Sequence, residues 1–186
     1  MATEQQFDKV IEQCRRIYQL KMQDYGPSWR IMRVQTVNDQ LFIKAKRIRE
    51  IETTGVNLVG ESIEGELMAI VNYSVIGLIQ LFEGYSDTVD MTREKALELY
   101  DKYVAEAREL MLRKNHDYGE AWREMFSTSL TDIILTKINR NKSIAANDNR
   151  TLISEGVDGN YFDMLNYAVF ALIKAAEKNS STDKSE

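Results

Sequence analysis

The chain is written twice. Residues 14–49 align with residues 107–142 at an offset of 93, with 11 of 36 positions identical, and residues 58–80 align with 152–174 at an offset of 94, with 8 of 23 identical. Unrelated segments share roughly one position in sixteen at ordinary residue usage. The match is therefore an internal duplication, and the fold must be one that two copies of a short module build together. The one-residue slip falls between Ile51 and Leu58, opposite Ile144 to Leu152, where a loop absorbs it. A single copy would own a marginal core, so one fused bundle with a pseudo-twofold axis is expected.

The local pattern is helical throughout. Only one proline occurs in 186 residues, where average usage predicts about nine, so long helices run uninterrupted. The first helix is expected from about Thr3 to Met22, with Thr3 and Gln6 spaced as a capping box; its counterpart runs from near Thr92 to near Asn115. A DYG turn follows each, at Asp24–Gly26 and Asp117–Gly119, because Asp and Gly favour turns and Gly tolerates positive φ. Pro27 then suits the start of a short helix. The next helix is expected to open at Thr36-Val-Asn-Asp39 and again at Ser129-Leu-Thr-Asp132, both spaced like capping boxes. The last helix of each copy runs from near Glu61 to Phe82 and from near Glu155 to Ala176, apolar nearly all round and so central. The expectation is an all-α duplicated helical bundle, each repeat three long helices plus a short one: residues 1–90, residues 91–178 and a fraying polar tail at 179–186.

Apolar positions drift between the copies, whereas polar ones persist. Lys21, Asp24, Tyr25 and Trp29 answer Lys114, Asp117, Tyr118 and Trp122; Asp39, Lys44 and Arg47 answer Asp132, Lys137 and Arg140; Glu61, Asn72 and Tyr73 answer Glu155, Asn166 and Tyr167. At 100° per residue, Asp39, Lys44 and Arg47 share a sector of about 140°. Such cations suit phosphate, Arg as a planar fork and Lys as a point charge; the structural alternative is a solvated charged face. Glu61 with Glu64 and Glu155 with Asp158 form i, i+3 acid pairs that would suit Mg²⁺, or simply complement a helix dipole. Asn72 and Asn166 lie inside the most apolar helices and must be hydrogen-bonded there, for register or toward a ligand. Tyr25, Trp29, Tyr118 and Trp122 are candidates to stack on a base or to close the end of the bundle. Asp24, Asp39, Asp117, Asp132, Asn72, Asn166 and Asp163 (opposite Ala69) are candidates for a polar network, and Glu66 stands opposite Asn160.

Several function classes are disfavoured. A net charge of −5 argues against a general grip on nucleic-acid backbone. The single cysteine, Cys14, excludes a disulfide framework. The lone histidine, His116, answers Gln23, so a triad or zinc site is unsupported. No phosphate loop of the GxxxxGK[ST] or GxGxxG kind occurs. The opening MATEQQFDKV lacks a secretory pattern, and Leu67 to Phe82 contains polar residues and is too short to span a bilayer, so a cytoplasmic protein without membrane partners is expected.

The two KxxDYGxxW segments, each followed by a DxxxxKxxR helix and an acidic-opened helix with an internal NY, resemble the nucleotide-modification-associated domain type one family of bacteria and phages. More remotely the module is similar to the all-α MazG-like nucleoside triphosphate pyrophosphohydrolases, which use Mg²⁺ on helix carboxylates to release pyrophosphate. Their preceding helix carries an EExxE cluster, replaced here by Asp39, Lys44 and Arg47 and by Asp132, Lys137 and Arg140. The resemblance implies a nucleotide or modified nucleotide as partner, Mg²⁺ on Glu61, Glu64, Glu155 and Asp158, and phosphate contacts from Lys21, Lys44, Arg47, Lys114, Lys137 and Arg140. Assembly as a homodimer is also open to such a chain. The rival expectation is a non-catalytic helical adaptor whose repeated polar residues pair internally.

Overall fold

A computed structural model describes residues 2–147 and 156–182. Six long helices follow one another: α1 Thr3–Tyr25, α2 Val34–Thr54, α3 Ile63–Glu83, α4 Arg93–Tyr118, α5 Ser127–Ala146 and α6 Val157–Thr182. Short 3-10 turns, Ser28–Ile31 and Ala121–Arg123, lie between α1 and α2 and between α4 and α5. Among the described residues there is no strand. The chain is all-α, and its two halves repeat the same order of elements.

The packing obeys a twofold exchange of α1 with α4, α2 with α5 and α3 with α6. The most extensive pairing is α3 on α6; α2 packs on α3 as α5 packs on α6, α2 lies against α5, and α1 and α4 each touch both central helices. The physical cause is in the apolar pattern. On α1, Phe7, Val10, Ile11, Cys14, Tyr18 and Met22 recur every three or four residues and are all buried. On α3, burial runs almost without a break from Ile70 to Gln80, which only a helix covered on several sides can satisfy. This helix does have the length and apolarity to cross a membrane, contrary to the expectation from sequence, because it extends past the apolar stretch at both ends; 67% of that span is buried against the other helices. Where α3 crosses α6, a Cβ at Gly77 would lie 2.5 Å from the Tyr161 ring. The bare glycine backbone makes room for the ring, and the twofold mates of this pair are Ala171 and Leu67.

Reciprocal ion pairs record the same symmetry on the outside. Arg15 holds Asp101 at 2.6 Å and Arg108 holds Asp8 at 2.7 Å, joining α1 to α4. Asp39 meets Lys142 at 3.8 Å and Asp132 meets Arg49 at 3.7 Å, joining α2 to α5. Exposed pairs are worth only about 0.2–1 kcal/mol each, so they set register while the apolar interior supplies stability.

Several boundaries differ from the sequence reading. The helices α2 and α5 begin two residues before Thr36 and Ser129, at Val34 and Ser127, with no side-chain cap; Asp39 and Asp132 therefore sit in the second turn rather than in capping boxes. Thr3 is not a cap either, since its hydroxyl donates to Glu120 at 2.5 Å. Thr92 does cap α4, accepting from the Lys95 N–H. The helix α6 runs on to Thr182, because the polar residues there continue a helix already anchored by its buried half. The alignment slip coincides in copy one with the segment between α2 and α3; its counterpart lies largely outside the described residues.

Candidate functional site: a cleft made twice

Each DYG turn folds the chain back so that the end of its first helix, the 3-10 turn and its last helix meet. Gly26 and Gly119 make this possible with φ of 66° and 59°; nothing stands within 4 Å of a Cβ at either position, so backbone conformation rather than crowding demands glycine. The helix passes through Asp24 and Tyr25, and through Asp117 and Tyr118, before stopping. The turns are then tied to the last helices by equivalent residues. Gln80 donates to the carbonyls of Trp29, Arg30 and Met32, and Lys174 donates to that of Arg123 at 2.5 Å.

The result is a cleft in each repeat, lined by the same residues. Lys21, Tyr25, Trp29, Met32, Asn72 and Tyr73 line the first, of about 140 Å³. Lys114, Tyr118, Trp122, Met125, Asn166 and Tyr167 line the second, of about 280 Å³. Six residue pairs identical between the repeats thus face these two spaces. Tyr25 and Tyr118 are exposed at the rims, 54% and 72%, while Trp29 and Trp122 are buried. Burial raises the hydroxyl pKa of Tyr25 and of Tyr167, the latter helped by the nearby Asp163 carboxylate. Met32, Met125, Tyr73 and Tyr167 were not singled out from the sequence as site residues, although their identity between the repeats was the available signal.

The asparagines perform the same task in both halves. The Asn72 amide donates to the Cys14 carbonyl of α1 at 3.1 Å, and the Asn166 amide donates to the Ala107 carbonyl of α4 at 3.1 Å. Their acceptor sides differ. Asn72 Oδ1 accepts from the Tyr100 hydroxyl at 2.9 Å, whereas Phe7 holds the place of Tyr100 in the other repeat and Asn166 Oδ1 has no hydrogen-bond partner.

The charges divide the two clefts further. In copy two, the buried Asp163 accepts from Lys114 at 2.6 Å and from Lys137 at 2.5 Å. In copy one Ala69 stands at that place, and the buried acid is Glu66, which pairs with Arg47 and, at 3.3 Å, with Lys44. Lys44, Arg47 and Lys137 therefore do not form a solvated cationic face; buried acids hold them. Arg140 is exposed. The acids Asp39 and Asp132 point away from these cations into the α2–α5 ion pairs, and Asp24 and Asp117 are exposed. Trp122 cannot stack on a base, because Phe170 covers one ring face at 4.3 Å and the Arg123 guanidinium lies over the ring at 4.4 Å. It offers an edge instead, and its indole N–H has no hydrogen-bond partner.

Of the candidate metal ligands, Glu61, Glu64 and Asp158 lie among the described residues. Glu61 precedes Ser62, the cap of α3, so it does not share a helix face with Glu64; its carboxylate meets Arg47 at 3.3 Å. Asp158 lies in the first turn of α6, and Glu155 lies outside the described residues. Among the described residues no group of three or more His, Cys, Asp or Glu side chains stands together.

Searches of curated proteins and of solved structures give no significant match. A family model, nucleotide modification associated domain 1, matches residues 21–81 and again residues 114–175. Each match begins at the cleft lysine, Lys21 or Lys114, and extends into the last helix of its repeat. The two stretches together cover well over half of the chain, which therefore belongs to the nucleotide modification associated domain 1 family, carrying the domain in tandem.

Proposed function

We propose that the protein binds nucleotides in the duplicated clefts, the base against the exposed tyrosines and the phosphates toward the lysines at the rim. One observation carries this reading: six residues identical between the repeats, among them a lysine, two tyrosines and an asparagine, line both clefts at equivalent places. Aromatic walls with a few convergent polar groups describe small-molecule sites, and the second cleft lies near the lower end of their usual size. Tyr rings tolerate any base by stacking, and lysine offers phosphate a point charge.

The activity to test is cleavage of a nucleoside triphosphate with release of pyrophosphate. A substrate can bring Mg²⁺ on its own phosphates, needing only one or two protein carboxylates; Glu64 and Asp158, in the first turns of α3 and α6 outside the cleft linings, are the candidates. Nucleotide binding stands without that step. The deciding experiment is a thermal-shift panel of nucleoside mono-, di- and triphosphates with and without Mg²⁺. A nucleotide present at 100 times its Kd adds about 2.7 kcal/mol of stability; no shift with any of them overturns the proposal.

A second reading, a non-catalytic helical adaptor, is favoured by the internal pairing of Arg15, Arg108, Arg47 and Lys137. It gives no role to the exposed Tyr25 and Tyr118. Under it, the nucleotide panel is silent.

A further inference from the structure

The two clefts are built alike and finished differently, and the difference lies in their hydrogen bonds. In the first cleft the asparagine is fully hydrogen-bonded. Asn72 has both sides of its amide occupied, and the Trp29 indole, though it completes no hydrogen bond of its own, has the Tyr18 hydroxyl beside it. In the second, Phe7 replaces the tyrosine that serves Asn72, and Met111 replaces Tyr18. Phe7 in place of a tyrosine leaves Asn166 Oδ1 without a partner, and Trp122 Nε1, like Trp29 Nε1, has none; Asn166 and Trp122 are each 5% exposed and line the same cleft. A buried polar atom without a partner costs about 1–3 kcal/mol, and one acceptor with one donor left open in one small space is an arrangement a ligand can complete.

We infer that the second cleft is the single high-affinity nucleotide site of the chain, and that it reads the base edge by donating from Trp122 Nε1 to a ring acceptor and accepting at Asn166 Oδ1 from an N–H of the same base. This rests on the nucleotide reading above and adds to it a stoichiometry and a chemistry. The ligand is a planar heterocycle carrying an acceptor and a donor on neighbouring atoms, as amide and amidine edges of nucleobases do. The Tyr118 ring, 72% exposed, supplies the stacking face that Trp122 lacks. Lys114, steered by Asp163, stands at the rim for the phosphate. The first cleft, half the volume and with Ala69 in place of the acid, is the scaffold copy.

The test is calorimetric titration of the full chain with the 5′-monophosphates of all five common bases. One nucleotide per chain is expected. Trp122→Phe, which keeps a ring and removes the N–H, should weaken binding about tenfold, the effect of one lost hydrogen bond. Phe7→Tyr restores the hydroxyl found in the other repeat; it should raise the melting temperature and weaken binding together, since it satisfies Asn166 from within. That opposite movement of stability and affinity is not expected of a merely structural residue. Two equal sites per chain, or nucleotide affinity unchanged in both variants, would overturn the inference while leaving nucleotide binding intact. No binding of any monophosphate or triphosphate by the parent chain would overturn both.

Discussion

Arg108 holds Asp8 at 2.7 Å across α1 and α4, and exchanging the two repeats turns that pair into Arg15 with Asp101 at 2.6 Å. The duplication is therefore expressed in contacts between the halves and not only within them. Neither repeat could make these bonds alone, and the same is true of the α3–α6 centre. The halves are expected to unfold in one cooperative step, with coincident transitions by near- and far-ultraviolet circular dichroism.

The two central asparagines should differ in their worth to the fold. Asn72→Leu leaves the Tyr100 hydroxyl without a partner and removes the side-chain bond to the Cys14 carbonyl, a loss of about 2–4 kcal/mol from two broken buried bonds. Asn166→Leu breaks only the side-chain bond to the Ala107 carbonyl and removes an acceptor that was already without a partner, so its cost should be smaller by about 1–2 kcal/mol. Urea denaturation of both variants at constant m-value checks the ordering.

The glycines of the DYG turns should also separate. Gly26 combines φ 66° with ψ −167°, a region essentially closed to other residues, so Gly26→Asn should cost roughly 1–3 kcal/mol. Gly119, at φ 59° and ψ 35°, is left-handed helical, which asparagine tolerates; Gly119→Asn should cost about 1 kcal/mol or less. Equal melting shifts in the two variants would contradict this account.

Removing Lys137 should cost more than a surface lysine does. Its side chain is 14% exposed and its partner Asp163 is 7% exposed, so Lys137→Ala leaves a buried carboxylate with Lys114 alone, at a cost of about 2 kcal/mol. Asp163→Ala in the same background should recover part of that loss, which a double-mutant cycle measures. The sequence alone left Lys137 between a phosphate contact and a solvated face, where its loss would cost only about 0.5 kcal/mol.

Burial pushes the Cys14 thiol up to about 12 from its ordinary 9.0. Below pH 9 the thiol is protonated in both the folded and the unfolded chain, and its contribution to stability is full; as pH rises through 9 toward 12 the unfolded chain ionises first and that contribution is lost. At pH 8 the native thiol should resist a disulfide reagent and react fully in 6 M guanidinium. Fast native labelling would mean that α1 opens far more readily than its buried face implies.

Helix order, the central pair and the turn glycines were legible in the sequence because periodicity and repetition encode them directly. Helix starts were less so. Thr36 and Asp39 carry the local signature of a cap, yet the preceding 3-10 turn delivers the chain to α2 two residues earlier, and tertiary packing overrides the local signal. The cleft walls could be read from repeated residues such as Lys114 and Asn166, whose persistence had no apolar explanation. The partners of the charges could not. They depend on Glu66 and Asp163, which are not repeated and sit one turn apart on equivalent helices, so an argument from repetition passes over them. The covered faces of Trp122 were equally hidden, since Phe170 lies far away in sequence and its twofold mate is Ile76.

The Tyr161 ring against Gly77 shows what a single continuous chain permits. In a homodimer of one repeat every substitution would be made on both sides of the axis at once, so a ring that needs a glycine opposite would force both residues into both subunits. Here Leu67 and Ala171 occupy the mirrored places. Fusion has released each half from copying the other, and a change that improves one side of the axis no longer has to be survived on the other.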